Sequence, residues 1–189
     1  MDIKLHPYQD YAKEFIKTRP YCGLFLEMGL GKTLITLSAL MELNPNGHVL
    51  VIAPKTIASH TWLDEIAKWE FPFRTKSLIV NEKRKKLSAK KRNAIYDEIK
   101  NSPPTIYFIN RELIVSFIER FEHEWCFPMV IIDEMQSFKA YDSQRFKALA
   151  KIRPQIQRLV GLTGTPTPNG LMDLWAEIGI LDMGRRLGR

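Results

Sequence analysis

The sequence predicts an α/β domain in which helices cover both faces of a central, mostly parallel β-sheet. Short apolar, β-prone segments alternate with amphipathic stretches along the whole chain, as strands alternate with crossover helices in parallel sheets. The 189 residues, 45% of them hydrophobic, are enough for one core, and a typical domain length of about 150 residues argues against two. We therefore expect residues 1–189 to form a single domain.

Six apolar segments are predicted to be strands, with helices between them. The strands are expected at residues 22–26, 49–53, 77–80, 105–109, 129–133 and 158–162. Trp62, Ile66 and Trp69 recur at i, i+4 and i+7, the spacing of one helix face. This spacing favours packing of a helix against the sheet over an aromatic stacking platform.

The chain has none of the signals of a membrane or secreted protein. Its apolar runs are far shorter than the roughly 20 residues that cross a bilayer, and residues 1–4 lack the apolar region of a signal peptide. We expect a soluble, cytoplasmic protein of a bacterial or phage-infected cell, with the nucleus as the alternative. Cys22 and Cys126 stand in apolar segments without metal-ligand spacing, which predicts reduced core residues rather than a disulfide or a metal site.

One cluster of residues carries the net charge of +7. It holds seven basic residues and no acid within ten positions, and outside it the basic and acidic residues balance. The members of this basic cluster are Lys83, Arg84, Lys85, Lys86, Lys90, Lys91 and Arg92. Leu87, Ile95 and Ile99 fall at helical spacing behind them, which favours a solvated helix face. A phosphate-binding surface and a nuclear-import signal are the two alternatives.

The segment after the first predicted strand has the pattern of a phosphate-binding loop. Residues 27–33 read EMGLGKT and lead into a helical run, which is the context of nucleoside-triphosphate sites. The glycines let backbone N–H groups surround an anion at the positive end of the helix. Lys32 would reach the β and γ phosphates, and Thr33 would offer its hydroxyl to Mg²⁺. The residues expected to hold the nucleotide are Met28, Gly29, Leu30, Gly31, Lys32 and Thr33. Leu26 departs from the pattern, which has its first glycine there.

A pair of carboxylates follows the fifth predicted strand. Asp133 and Glu134 come at the end of the apolar run 129–132, where open parallel sheets present ligands. Asp133 would hold Mg²⁺, and Glu134 would orient and deprotonate an attacking water. Lys32 and Glu134 are therefore the predicted catalytic residues, and Thr33 and Asp133 are the predicted metal ligands. The alternative is an ordinary helix-capping pair.

Two further motifs flank the phosphate-binding loop and the carboxylate pair, one before the loop and one after the pair. LHPYQ occupies residues 5–9 and LTGTP occupies residues 162–166. Together with EMGLGKT, and with DEMQSFKA at residues 133–140, they make the chain resemble the Swi/Snf-type branch of the superfamily-two helicases and translocases over residues 5–181. The resemblance implies an N-terminal RecA-like lobe of a P-loop NTPase, with ATP and Mg²⁺ as cofactors. It also implies ATP hydrolysis that depends on nucleic acid, with double-stranded DNA tracked without strand separation.

The resemblance assigns recognition roles to individual residues. Gln9 is similar to the family's adenine-reading glutamine, with a solvent-facing helix position as the alternative. Lys55, Thr56, Asn110 and Arg111 follow predicted strands, at positions where relatives touch the nucleic-acid backbone. Helix capping by Thr56 and Asn110 is the alternative for that pair.

Four residues match the family motifs that link the ATP state to the grip on nucleic acid: Gln136, Thr163, Gly164 and Thr165. A simple strand-to-loop turn is the alternative for residues 163–165. Gln136 stands where the family has a histidine, and Ala140 stands where it has an asparagine. Gln136 keeps hydrogen-bonding groups but has no titratable ring, which leaves the detail of coupling open.

The relatives hold ATP between two RecA-like lobes, and the second lobe supplies arginines to the transferring phosphoryl group. Residues 1–189 account for the first lobe alone. We expect the second in the same parent protein or in trans, and weak ATPase activity without it. Two other interpretations stay open, a small P-loop kinase and a non-catalytic module that senses ATP or docks a partner. The LHPYQ motif ahead of the loop argues against the kinase.

Overall fold

The computed structural model describes residues 3–164 and 171–186, with the backbone alone for residues 171–173. The helices in these ranges are α1 (Pro7–Thr18), α2 (Lys32–Leu43), α3 (Trp62–Lys68), α4 (Ala89–Glu98), α5 (Ile114–Phe121), α6 (Gln144–Ile152) and α7 (Leu171–Asp182). The strands are β1 (Tyr21–Phe25), β2 (Val49–Ala53), β3 (Thr75–Ser77), β4 (Ile106–Asn110), β5 (Met129–Asp133) and β6 (Arg158–Thr163). A wider, π-helical turn at Ile57–Thr61 leads directly into α3.

The six strands form one sheet in the order β1-β6-β5-β2-β4-β3. Every neighbouring pair is parallel, which confirms the predicted fold class. All six strands therefore end at the same edge of the sheet, and the segments that follow β1, β2, β4, β5 and β6 carry the residues singled out in the sequence.

The third strand differs from the prediction. It was expected at residues 77–80 but covers Thr75–Ser77. The hydroxyl of Ser77 accepts hydrogen bonds from the backbone N–H groups of Ile79 (3.2 Å) and Val80 (3.1 Å). Because this local turn competes with the ladder to β4, the chain leaves the sheet while Leu78, Ile79 and Val80 stay buried.

Alternate residues of each strand face two separate hydrophobic layers. In β2, Val49 and Val51 pack with α1, α2 and α3, whereas Leu50 and Ile52 pack with α4, α5, α6 and α7. Both faces of the strands are thus covered, which explains why they are continuous apolar runs rather than alternating ones. In α3, Trp62 and Ile66 are buried as predicted, and Trp69 is half-buried.

The basic cluster is not a single helix face, so that part of the prediction is wrong. Residues 81–86 form a turn closed by an antiparallel bridge between Val80 and Lys86, and α4 begins only at Ala89. The hydroxyl of Ser88 accepts a hydrogen bond from the backbone N–H of Lys91 and starts the helix there. Leu87 and Ile99 are buried behind the cluster, and Ile95 is half-buried.

Both cysteines are free, as predicted, with Cys22 buried and Cys126 half-buried. Burial raises the pKa of each thiol to about 11, so both stay protonated at neutral pH. None of the helices in the described ranges has the length and apolarity needed to cross a membrane.

A close approach between β6 and the segment after β5 fixes the chain beside the carboxylate pair. A Cβ atom built on Gly161 would stand 2.1 Å from Sδ of Met135, a side chain that is fully buried. Only glycine leaves room for that sulfur. Gly161 therefore lets Met135, the residue directly after Glu134, pack down onto the sheet.

Candidate active site

The loop after β1 has the backbone shape of an anion cradle. Gly29 and Gly31 adopt φ angles of +83° and +77°, which side-chain-bearing residues rarely adopt. The ammonium group of Lys32 lies against this loop and donates hydrogen bonds to the carbonyl oxygens of Leu26 (2.8 Å) and Glu27 (3.2 Å). Helix α2 begins at Lys32, so its positive end points into the same loop.

Gln9 lies against the loop rather than facing solvent, and only 7% of the residue is exposed. Its Nε2 donates to the carbonyl oxygen of Leu30 (3.4 Å), and its Oε1 accepts from the backbone N–H of His6 (2.9 Å). A Cβ atom on Gly31 would stand 2.6 Å from that Nε2. Gln9 is thus positioned beside the loop, and its role in reading adenine stays a prediction.

Asp133 is held from two sides at the end of β5. Its Oδ2 accepts a hydrogen bond from Nε1 of Trp62 (2.8 Å), and its Oδ1 accepts one from the backbone N–H of Glu134 (3.0 Å). The residue is 6% exposed. Burial raises the pKa of the Asp133 carboxyl, and the hydrogen bond from Trp62 opposes that rise. The carboxylate is therefore desolvated and fixed in direction.

The Glu134 side chain belongs to a short chain of hydrogen bonds. Nε2 of Gln136 donates to Oε2 of Glu134 (2.5 Å), and Oε1 of Gln136 accepts from the hydroxyl of Thr163 (2.6 Å). The Gln136 side-chain amide thus donates to Glu134, which follows β5, and accepts from Thr163, which ends β6. An amide keeps both groups because it does not titrate. Two of the predicted coupling residues, Gln136 and Thr163, therefore lie in contact with a predicted catalytic residue.

The helix-capping alternative for the carboxylate pair has no support in these contacts. Glu134 precedes the short helical turn Met135–Phe138 but its side chain makes no cap hydrogen bond. Glu134 instead adopts a left-handed backbone conformation, with φ of +55°, which is costly for a residue other than glycine. Such strain at a strand end is characteristic of functional sites.

One cavity of about 280 Å³ brings the two motifs together. Its lining from the predicted site consists of Met28, Gly29, Gly31, Lys32, Thr33, Asp133 and Glu134. Ile57, Thr61 and Glu65 from the helical segment after β2 complete one wall, and sequence reasoning missed them. It also missed the Trp62 hydrogen bond to Asp133, although a buried indole N–H usually has a hydrogen-bond acceptor.

The four predicted nucleic-acid residues meet at one place on the sheet edge, because Ala53 and Asn110 are paired across β2 and β4. Lys55 and Thr56 are exposed there. Asn110 is buried and donates to Oε2 of Glu112 (2.5 Å), and the Arg111 guanidinium donates to Oε1 of the same residue (3.1 Å). The Thr56 side chain makes no cap hydrogen bond.

Gly164 follows β6 and lies beside Met28, since a Cβ atom on it would stand 3.4 Å from Cγ of that methionine. The last coupling motif therefore borders the phosphate loop. Thr165, the remaining predicted coupling residue, lies outside the described residues.

Comparison with known protein families identifies the family of this chain. A model of the SNF2-related domain matches residues 17–184. The chain belongs to the SNF2-related domain family. It is a Swi/Snf-type N-terminal lobe of the superfamily-two class, as the ordered motifs indicated.

Relatives of this SNF2-related lobe include proteins of phage and eukaryotes. It is 36% identical over 194 residues to protein p41 of Acyrthosiphon pisum secondary endosymbiont phage 1, covering 97% of this chain and 40% of that protein. It is 29% identical to the bifunctional helicase and thymine dioxygenase JBP2 of Leishmania braziliensis, covering 96% of this chain and 17% of that protein. It is 35% identical to the chromatin-remodeling ATPase INO80 of Candida albicans, covering 79% of this chain and 11% of that protein. The SNF2-related lobe therefore spans less than half the length of each.

The solved structures agree with the RecA-like fold. The SWI2/SNF2 ATPase core of Sulfolobus solfataricus in complex with double-stranded DNA superposes with a TM-score of 0.71 and 25% identity, covering 97% of this chain and 37% of that one. The UvsW helicase of bacteriophage T4 shares the fold with a TM-score of 0.63 and 18% identity, covering 93% of this chain and 58% of that one.

Proposed function

We propose that this chain binds Mg²⁺ and ATP and hydrolyses the nucleotide as the first RecA-like lobe of a translocase that moves on double-stranded DNA. Residues 1–189 form this one lobe, and its partner is a second RecA-like lobe in the same parent protein or in trans. The observation that carries the proposal is the single cavity shared by the phosphate loop and the Asp133–Glu134 pair, with Gln136 joining Glu134 to Thr163.

The residues on the cavity wall fit a magnesium nucleotide. Hydroxyl and carboxylate oxygens are the ligands that Mg²⁺ prefers, and Thr33 and Asp133 offer one of each. Burial disfavours the charged form of Asp133, so a nearby cation would stabilise it. When bound, the metal supplies positive charge that neutralises the phosphate oxygens.

The protein's own groups then have separate tasks. Lys32 exchanges its hydrogen bonds to the loop carbonyls for phosphate oxygens, and the loop amides of residues 28–33 surround the same group. Glu134 accepts a proton from the attacking water, and Gln136 holds its carboxylate in place. Gln136 links Thr163 to Glu134 by one hydrogen bond to each, so a movement of Glu134 is transmitted to Thr163. The exposed Lys55 and the neighbouring Arg111 contact DNA phosphates at the same sheet edge.

Double-stranded DNA is the proposed track because the SWI2/SNF2 core that superposes on this chain was solved in complex with it. The kinase alternative is disfavoured by α1, which precedes the loop strand and places Gln9 against Leu30. The non-catalytic alternative is disfavoured by the supported geometry of Glu134, which a binding module would not require.

Single-turnover cleavage of radiolabelled ATP by excess protein, with and without duplex DNA, tests the proposal. We expect slow conversion of bound ATP to ADP and free phosphate that Glu134→Gln abolishes, because the glutamine cannot accept a proton. Recovery of intact ATP from the wild-type complex would favour the sensing module. Transfer of label to an added acceptor without free phosphate would favour the kinase.

Trp62 is expected to act as a positioning residue for the proposed metal ligand. Trp62→Phe keeps an aromatic ring in the core but removes the N–H that fixes Asp133. Loss of a partner that orients a metal ligand typically costs about 10- to 100-fold in metal affinity. The Mg²⁺ concentration for half-maximal ATP binding should rise by that factor, as measured with a fluorescent nucleotide.

Trp125→Phe is the matched control for this prediction. The indole of Trp125 donates to the carbonyl oxygen of Phe127 (2.7 Å), and both residues stand apart from the described lining of the cavity, so its loss removes an equivalent hydrogen bond away from Asp133. Equal Mg²⁺ requirements for the two variants would show that Trp62 only packs.

A further inference from the structure

The basic cluster divides into two anchored arginines and five lysines whose side chains make no ion pair with the residues that the structure describes. The Arg84 guanidinium donates to Oδ2 of Asp64 (3.2 Å) and contacts Nδ1 of His60 (3.0 Å). Arg92 donates to the carbonyl oxygens of Leu78 (3.1 Å) and Leu87 (3.4 Å). The other members form what we call the lysine surface: Lys83, Lys85, Lys86, Lys90 and Lys91.

The lysine surface is exposed, and in the described part of the chain it has no carboxylate partners. All five side chains belong to exposed residues. Within residues 3–164 and 171–186, none of them pairs with an acidic group. The chain therefore concentrates positive charge at a place where, within the described residues, no ion pair offsets it, and Glu82 is the one acidic residue of the same turn.

The turn that presents three of these lysines is held in one conformation. The backbone N–H of Asn81 donates to the carbonyl oxygen of Lys85 (2.8 Å), and the N–H of Arg84 donates to that of Asn81 (2.8 Å). The Asn81 side chain accepts from the backbone N–H of Lys85 (3.0 Å). Because the backbone is already ordered and Leu87 anchors it in the core, binding an anion there costs little backbone entropy.

The position of the turn connects it with the proposed DNA track. It follows β3, which ends at the same edge of the parallel sheet as β2 and β4. Arg84 fastens it to His60 and Asp64, on the helical segment that begins just after Lys55 and Thr56. The lysine surface therefore adjoins the segment that carries the proposed DNA contacts.

We propose that the lysine surface binds the sugar-phosphate backbone of duplex DNA and extends the track beyond Lys55 and Arg111. This inference rests on the proposed function. Lysines are flexible point charges, suited to phosphates but without the bidentate geometry by which arginine reads bases. The two arginines of the cluster, which could supply that geometry, are engaged with the protein. The contact is therefore independent of sequence and driven by release of counterions from the DNA.

The test is the salt dependence of duplex binding by the full 189-residue chain. Replacing Lys83, Lys85 and Lys86 together with alanine should flatten the slope of log affinity against log salt by up to about 2.7, at about 0.9 for each lost phosphate contact. Between 50 and 200 mM KCl the variant should then lose about 40-fold less affinity than wild type. Fluorescence anisotropy with two labelled duplexes of unrelated sequence measures both quantities.

A second triple variant separates local contact from overall charge. Lys100, Lys147 and Lys151 are exposed lysines elsewhere on the chain, and their replacement by alanine gives the same change in net charge. We expect wild-type slopes from this control. Equal slopes for wild type and the Lys83, Lys85 and Lys86 variant would overturn the inference. An equal decrease in slope in both triple variants would also overturn it, as would a decrease in slope with only one of the two duplexes. Failure of the wild-type chain to bind any duplex would refute the proposed function itself.

Discussion

The purified chain, with no second lobe added, should release phosphate from ATP at only about 10⁻² to 10⁻⁴ s⁻¹. A motor working at a typical enzyme rate of about 10 s⁻¹ slows by about 10³ to 10⁵ when the arginine that stabilises the transferring phosphoryl group is missing. In the described part of the chain, no arginine lines the cavity with Lys32 and Glu134. Duplex DNA should not raise the rate, since in such motors it acts by bringing the two lobes together.

Steady-state phosphate release, with saturating duplex DNA in parallel, checks this expectation. Glu134→Gln, prepared in the same way, shows how much of the signal comes from contaminating ATPases. A wild-type rate near 10 s⁻¹ that Glu134→Gln removes would contradict the proposal that the site needs a second lobe. In that case self-association of the chain, measured by light scattering in the presence of ATP, would be the next question.

Lys32→Ala is expected to weaken the binding of Mg²⁺-ATP by about 10- to 100-fold. Hydrogen bonds to charged groups contribute about 1.5–3 kcal/mol each, and the proposed contact joins an ammonium to phosphate oxygens. Isothermal titration calorimetry measures the affinity directly. The fold should survive, because among the described residues the Lys32 ammonium donates hydrogen bonds only to carbonyl oxygens of its own loop.

Lys76→Ala provides the comparison for Lys32→Ala. Lys76 lies exposed on β3, so its removal changes the net charge equally but at a distance from the loop. Thermal unfolding followed by circular dichroism should give similar midpoints for both variants and wild type. Unchanged ATP affinity in Lys32→Ala, with the fold intact, would show that the loop does not bind phosphates in the proposed way.

The fold was predictable because its elements are continuous in sequence. A strand buried on both faces is an unbroken apolar run, and β2 and β5 were found at their predicted bounds. The prediction of the third strand was wrong because the Ser77 hydroxyl accepts hydrogen bonds from the backbone that follows it. The residue type alone does not show whether that backbone forms this local turn or pairs with β4. The prediction of a single helix face for the basic cluster was wrong for a similar reason. The helical spacing of Leu87, Ile95 and Ile99 does not show where the helix begins.

The site was predictable in its motifs but not in the contacts between them. Lys32 and Thr33, or Asp133 and Glu134, are adjacent in sequence, and their chemistry can be inferred from residue type and order. The hydrogen bond from Trp62 to Asp133 joins residues 71 positions apart, and the one from Thr163 to Gln136 spans 27 positions. Such partners emerge only when the sheet brings distant strand ends together.

The contact between Gly161 and Met135 restricts how this region can diverge. With 2.1 Å between the Met135 sulfur and a Cβ atom on Gly161, a side chain at position 161 would be accommodated only after position 135 had become smaller. The order of the two replacements therefore matters, because the first must be the loss of methionine and the second the gain of a side chain. Gly161→Ala should therefore leave the fold stable in a chain that already carries Met135→Ala, whereas it should destabilise the parent chain.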